Sequence, residues 1–352
     1  YYSVIGGWVI KYLVEYFRGN AKLLAEDGYF TDFISNGVST ELCFVAFCAF
    51  TLIIIFAGVQ NGIERVSKIM MPILIVLSVI IAVYSVTRPG ALAGVKYFLV
   101  PNVKNFSWMT VVSAMGQMFY SLSIAMGILI TFGSYMKKDT AIEDSTRNVE
   151  IFDTGIAIMA GLMIIPAVFA FSGGDPDTLQ AGPSLMFITI PKVFQNMGFG
   201  TVIGIVFFLL VLFAAVTSSI ALTESAVSTF EDELGWGRKK ATVLVGVIML
   251  ALGSLSSLGY GPLAGIKIIG MQFLDLFDFL TNSVMMPIAA LLTSLFVSRV
   301  VGIDKIEEEI IHGESAFRRK KVFVVMIKYL CPVFAIIILL SSVANALGWI
   351  KM

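Results

Sequence analysis

The stretch Gly116-Gln-Met-Phe-Tyr-Ser-Leu-Ser-Ile-Ala-Met-Gly127 lies inside an apolar run from Trp108 to Tyr135, long enough to cross a bilayer at roughly 20 residues per span. Its middle is not built like a continuous helix. Ser121, Ser123 and Gly127 crowd a depth where lipid offers the backbone no hydrogen-bond partner, so a break there is tolerated only where it lines a cavity or a ligand. The stretch reads as a broken membrane helix at a binding site. A second run, Phe213-Ala-Ala-Val-Thr-Ser-Ser-Ile-Ala-Leu222, sets three consecutive hydroxyls halfway along another span, and hydroxyl and carbonyl oxygens are what a small hard cation needs.

Working outward, hydrophobic residues make up 58% of the 352 and charged ones 14%, with a mean hydropathy of +0.91. This excludes an ordinary soluble domain and predicts an all-α polytopic membrane protein, one bundle over 1–352. The zero formal charge gives no reason to expect nucleic acid as a partner. Cys43, Cys48 and Cys331 lie in apolar segments as small buried hydrophobes, and no metal-ligand spacing accompanies them. His312 sits in a charged stretch between spans, where a solvated role is expected. No organic cofactor is implied.

Nine hydrophobic runs can be read, at about 1–17, 40–59, 66–86, 108–135, 150–172, 199–230, 241–258, 270–299 and 322–348. Grouping alternate connections puts fourteen Lys and Arg residues near 60–68, 136–148, 231–240 and 299–321, against eight in the others. The richer set is expected on the cytoplasmic side. The first run then points outward, and Lys351 and Met352 lie outside. The chain opens on Tyr1-Tyr2-Ser3 without an initiator Met, which reads as a truncation partway through a helix.

Two outer connections, Arg88 to Pro101 and Gly182 to Phe194, read as short amphipathic helices between Pro and Gly breakers. Pattern alone leaves them as lids over a vestibule or as simple connectors. The inner loop Phe230-Glu-Asp-Glu-Leu-Gly-Trp-Gly-Arg-Lys-Lys240 reads as a solvated helix end with a positive-inside flank, and Lys305 to Lys321 gives no sharper signal.

Acids inside membrane spans cost roughly 2.5–3.5 kcal/mol at mid-helix, which makes them candidates for function. Asp153, Glu224, Asp275 and Asp278 stand out. Asp153 is either a functional acid or a first-turn acid favoured by the helix dipole. Glu224 either pairs with a base or reaches the cytoplasmic vestibule. Tyr2 and Tyr120 are either packing aromatics or groups that touch a ligand, since a phenol donates to a carboxylate and an aromatic plane closes over an apolar body.

Several motifs together resemble one family. Tyr1-Tyr2-Ser3-Val-Ile-Gly-Gly-Trp8, Pro89-Gly-Ala-Leu-Ala-Gly94, Gly116 to Ser123, Ala160-Gly-Leu-Met-Ile-Ile-Pro-Ala-Val-Phe169, Gly182-Pro183 with Pro191, Thr217-Ser-Ser219, Glu231-Asp-Glu-Leu234 and Leu274-Asp-Leu-Phe-Asp-Phe-Leu280 are similar in order and spacing to bacterial neurotransmitter:sodium symporters. The resemblance covers essentially the whole chain, from the middle of that family's third membrane helix to its eleventh. It implies a five-plus-five inverted repeat without the first two helices: 1–107 the remainder of the first repeat, 108–300 the second, and 301–352 an additional helix. An amino acid and sodium ions would bind at the midplane.

Carried over residue by residue, the resemblance has Tyr2 bond the substrate carboxylate and the unwound backbone from Ser121 to Gly127 meet the amine and side chain. Ser123, Met126 and Leu222 would line the side-chain pocket, with Tyr120 a gate above it. The Ala214 carbonyl with the Thr217 and Ser218 hydroxyls would form one sodium site. Ser121 and Asp153 would serve the other, Asp153 standing where the family has an amide, or else supplying the negative charge that replaces chloride. Gln117 and Asp278 would belong to the extracellular gate, and Asp232 to the cytoplasmic one. Ala125 replaces a helix-breaking Gly of some members, and Glu224 has no counterpart role.

The expected function is sodium-coupled symport of an amino acid by alternating access in the bacterial cytoplasmic membrane, with lipid and sodium as the other partners. Flexible Met126 points to a hydrophobic or aromatic substrate. An intramembrane enzyme is disfavoured because Thr217-Ser-Ser219 has no His partner; a non-transporting binding protein on the same fold is the remaining rival. Because the family's sites draw on the first helix, the chain as it stands is expected to insert without binding substrate or sodium.

Overall fold

The computed structural model describes residues 1–175, 182–314, 316–346 and 349. It is helical throughout, with no strand among the described residues and a single isolated bridge between Ile268 and Met271. The expected runs are all there. They are α1 (Tyr2–Phe17), α2 (Gly37–Phe56), α3 (Val59–Val86), the broken pair α5 (Trp108–Ser121) and α6 (Ile128–Ser134), α7 (Ile142–Ser172), α9 (Gly200–Leu234), α10 (Arg238–Leu258), α11 (Phe273–Val301) and α13 (Lys320–Ala346). Seven of these are long and apolar enough to cross a membrane unaided. The exceptions are α1, with 16 residues, and the broken pair. Both outer connections form the expected helices, α4 (Ala91–Leu99) and α8 (Leu185–Gln195), and an inner one forms α12 (Ile303–Gly313). The placement of Lys351 and Met352 falls outside the described residues.

The chain divides into two compact units, Tyr1–Pro101 with Ile156–Leu274, and Asn102–Gly155 with Asp275–Met352. In the first, α1 threads between α2 and α9 because small residues let the backbones approach. A Cβ on Gly7 would lie 2.7 Å from the Phe44 nitrogen, and one on Gly204 would lie 2.2 Å from the Tyr16 ring. Around α1 gather Trp8, Tyr12, Tyr16, Phe30, Phe187 and Phe208, with Tyr12 stacked on Phe208 at 5.3 Å. Tyr12 also donates its hydroxyl to the Phe187 carbonyl at 2.8 Å, so α8 is fastened to the core by an aromatic and a polar contact at once. Outside, Lys192 pairs with Asp27 and holds that carboxyl below the usual range. Helix α4 lies over α7 where Gly94 meets Pro166, its Cβ position 2.8 Å from the proline Cα.

In the second unit a small core of Phe119, Ala290, Ala335 and Ile338 joins α5 to α11 and α13. Wide π-turns interrupt α11 at Phe279–Met285 and Val297–Val301, and α13 at Met326–Leu330. Such turns recur at functional positions.

Candidate functional site

The break falls where the hydroxyls and Gly127 predicted it. Helix α5 stops at Ser121 and α6 starts at Ile128. Between them Ser123, Ala125 and Gly127 all take the left-handed conformation, with φ of 53°, 62° and 77°. The turn closes through Ser123 N–H to the Tyr120 carbonyl and Ile124 N–H to the Phe119 carbonyl. Backbone taken out of a helix at membrane depth needs a partner from protein, ligand or solvent. Ala125 does not keep the helix wound; it is unwound at a strain of about 1–2 kcal/mol for a side chain in this region. Ala125→Gly should therefore raise the thermal midpoint of the purified protein, and Ala125→Val lower it; a melt insensitive to both would remove the strain.

Asp153 sits beside the break, and Ser121 donates its hydroxyl to Asp153 Oδ1 at 2.7 Å. This overturns the first-turn reading of Asp153. Helix α7 begins at Ile142, its first-turn acids are Glu143 and Asp144, and Asp153 lies in its fourth turn. Tyr120 is 36% exposed and lines a cavity of about 170 Å³ with Phe119, Asn282, Met286 and Ile338. Asp278 accepts from Asn282 Nδ2 at 2.7 Å across one turn of α11, and Gln117 is exposed on α5.

In the first unit the three hydroxyls of α9 diverge, as successive residues about 100° apart on a helix must. Thr217 donates back to the Phe213 and Ala214 carbonyls at 3.1 and 3.0 Å, which leaves its oxygen lone pairs open and sets it beside the Ala214 carbonyl. Ser218 is exposed and lies beside the Tyr2 phenol of α1. Ser219 is buried and accepts from Thr51 of α2 at 3.1 Å. Thus Tyr2, Ala214, Thr217 and Ser218 come together; Leu222 lies half-buried one turn on, and Asp232 is exposed at the helix end.

Glu224 is fully buried and grips Arg238 at both oxygens, 3.0 and 2.6 Å. Arg238 also donates to the Ile55 carbonyl at 3.0 Å and approaches Glu231 at 3.5 Å. The inner loop is therefore no simple solvated end: Gly235, left-handed at φ 61°, turns the chain so that α10 starts with Arg238 pointing back at α9. Sequence reasoning also passed over Glu15, buried at 4% exposure and held by Lys11 at 2.8 Å and Asn20 at 2.6 Å. The i,i+4 Lys-Glu spacing inside the first run was the available signal. A hollow of about 580 Å³ between Asn20–Glu26 and Phe194–Val202 begins near Thr201, about 24 Å along α9 from Thr217 at 1.5 Å per residue.

A helical membrane protein with one span unwound at its centre and an acid bonded to a hydroxyl at the break is built as a secondary transporter. The comparisons with known proteins narrow this. The sodium:neurotransmitter symporter family matches residues 13–349. A sodium-dependent transporter of Bacillus subtilis is 34% identical over 97% of this chain and 76% of its own length. One of Haemophilus influenzae is 31% identical over 97% and 75%. The crystal structure of MhsT in complex with L-phenylalanine superposes with a TM-score of 0.83 at 34% identity, covering 97% of this chain and 77% of that one. The chain belongs to the sodium:neurotransmitter symporter family. It is a sodium-coupled symporter, a multi-pass protein of the cell membrane and not an enzyme.

Proposed function

We propose that the cargo is an amino acid with an apolar or aromatic side chain, as the phenylalanine held by MhsT suggests. The observation that carries the site assignment is the Ser121–Asp153 bond at the break, an acid and a hydroxyl set beside unwound backbone, the oxygen donors a cation takes. Ser121 and Asp153 then serve one sodium, and Ala214, Thr217 and Ser218 another. Ser123, Met126, Gly127 and Leu222 receive the cargo's side chain and amine, and Tyr2 its carboxylate. Tyr120, Gln117 and Asp278 gate the outside, and Asp232 the inside. Each sodium entering down about 100 mV supplies roughly 2.3 kcal/mol to the cycle.

The test is uptake of labelled phenylalanine into proteoliposomes holding the full-length parent protein under an imposed sodium gradient, with a potassium gradient as control. Accumulation should require sodium and be competed by leucine but not by lysine. Saturable binding without accumulation would favour the non-transporting rival. In the same assay Tyr2→Phe keeps the ring and removes a bond to a charged group, worth about 1.5–3 kcal/mol. Affinity should fall by about tenfold or more, and a change under about twofold would make Tyr2 a packing residue.

A further inference from the structure

The connection between the last two spans lends a carboxylate to the start of another helix. Glu314 Oε1 accepts the backbone N–H of Glu143 at 2.6 Å and of Asp144 at 3.4 Å, the second and third residues of α7. The first N–H groups of a helix have no partner within it. Here the local chain supplies no side-chain cap: Ala141, whose carbonyl accepts the Ser145 N–H at 3.1 Å, stands at the capping position without an acceptor. The contact is reciprocal. Glu143 Oε2 accepts the N–H of Arg318 at 2.9 Å, just ahead of α13. Each helix start thus receives a carboxylate from the other's segment, the arrangement of a capping box split between segments about 170 residues apart.

Further contacts hold the same junction. Arg319 reaches Glu150 at 2.9 Å and Glu143 at 3.8 Å, and Lys320 pairs with Glu307 of α12. Gly313 lies so close to the Thr140 carbonyl that a Cβ would stand 2.5 Å from its oxygen. The approach that brings Glu314 to α7 therefore needs a glycine immediately before it.

We propose that Glu314 is a positioning residue for cation binding: by capping α7 from a distant segment it fixes the height and rotation of the helix that carries Asp153. Asp153 is about 15 Å along the axis from Glu143 at 1.5 Å per residue, within one unbroken stretch of α7. Displacement or fraying of the helix start passes to the Asp153 carboxylate and loosens its bond to Ser121. This rests on the reading of Asp153 as a cation ligand.

The full-length parent protein in proteoliposomes tests it with three variants and two readouts. Glu314→Ala should raise the sodium concentration for half-maximal uptake by about tenfold, the equilibrium equivalent of a lost cap. Glu314→Gln keeps an acceptor oxygen and should stay within about twofold. Hydrogen exchange at Glu143–Thr146 should quicken in the alanine variant and not in the glutamine one. Asp153→Asn reports on the underlying reading. If it shifts the sodium titration and Glu314→Ala does not, the positioning role is overturned while the cation site stands. If Asp153→Asn leaves the titration unchanged, the cation reading itself fails, and the proposal with it. Equal shifts for glutamine and alanine overturn the capping role in favour of charge alone. Should the alanine variant not accumulate, Glu314→Asp, one methylene too short to reach, carries the same expectation and the same overturning result.

Discussion

Replacing Arg238 by alanine should lower the stability of the protein by about 3–5 kcal/mol, because it strands a buried carboxylate. Glu224 is wholly shielded from solvent and spends both oxygens on that guanidinium, and the Ile55 carbonyl loses its donor too. Arg238 itself is 23% exposed, so water relieves part of the loss and the lower figure is the better guide. Thermal unfolding in detergent reads the effect directly. Adding Glu224→Gln to the variant removes the stranded charge and should recover much of the midpoint. If the double variant melts no higher than the single, the buried charge is not what the arginine answers.

The second large effect concerns sodium. Thr217→Val with Ser218→Ala should weaken the sodium dependence of uptake by at least about a hundredfold, taking about 1.5–3 kcal/mol for each oxygen lost from a charged partner. Valine matches threonine in shape, and among the described residues the Thr217 hydroxyl bonds carbonyls of its own helix, so α9 should tolerate the change. Thr217→Val alone leaves Ser218 beside Tyr2 and so separates the ion effect from loss of that contact. A sodium titration unmoved in the double variant would leave these hydroxyls as helix-internal groups.

How far the sequence could be read depends on what hydropathy reports. The nine runs and the break near Ser121–Gly127 were legible because lipid penalises polar backbone and side chains sharply, leaving interruptions conspicuous. The start of α7 was not, since its first two turns are Glu143, Asp144, Ser145, Thr146, Arg147 and Asn148, which a hydropathy reading assigns to a loop. That error put Asp153 in a first turn. The Glu224–Arg238 pair was only half legible. Glu224 was visibly costly, but its partner depends on how three loop residues, Gly235 to Gly237, redirect the chain. The carboxylate at Glu314 left no local trace at all, because a cap from a distant segment is a fact of tertiary packing.

The interleaving of the two units has a consequence for how the protein is made. The first unit is finished once residue 274 has been synthesised, but the stretch from Asn102 to Gly155 belongs with residues 275 onward. Helix α5 packs its Phe119 on Ala290, Ala335 and Ile338, residues translated long after it. During translation the broken helix, with its acid, therefore waits in the bilayer or the insertion machinery for the last spans to arrive. A segment ill suited to lipid alone is thus without these partners until residue 338 has been made.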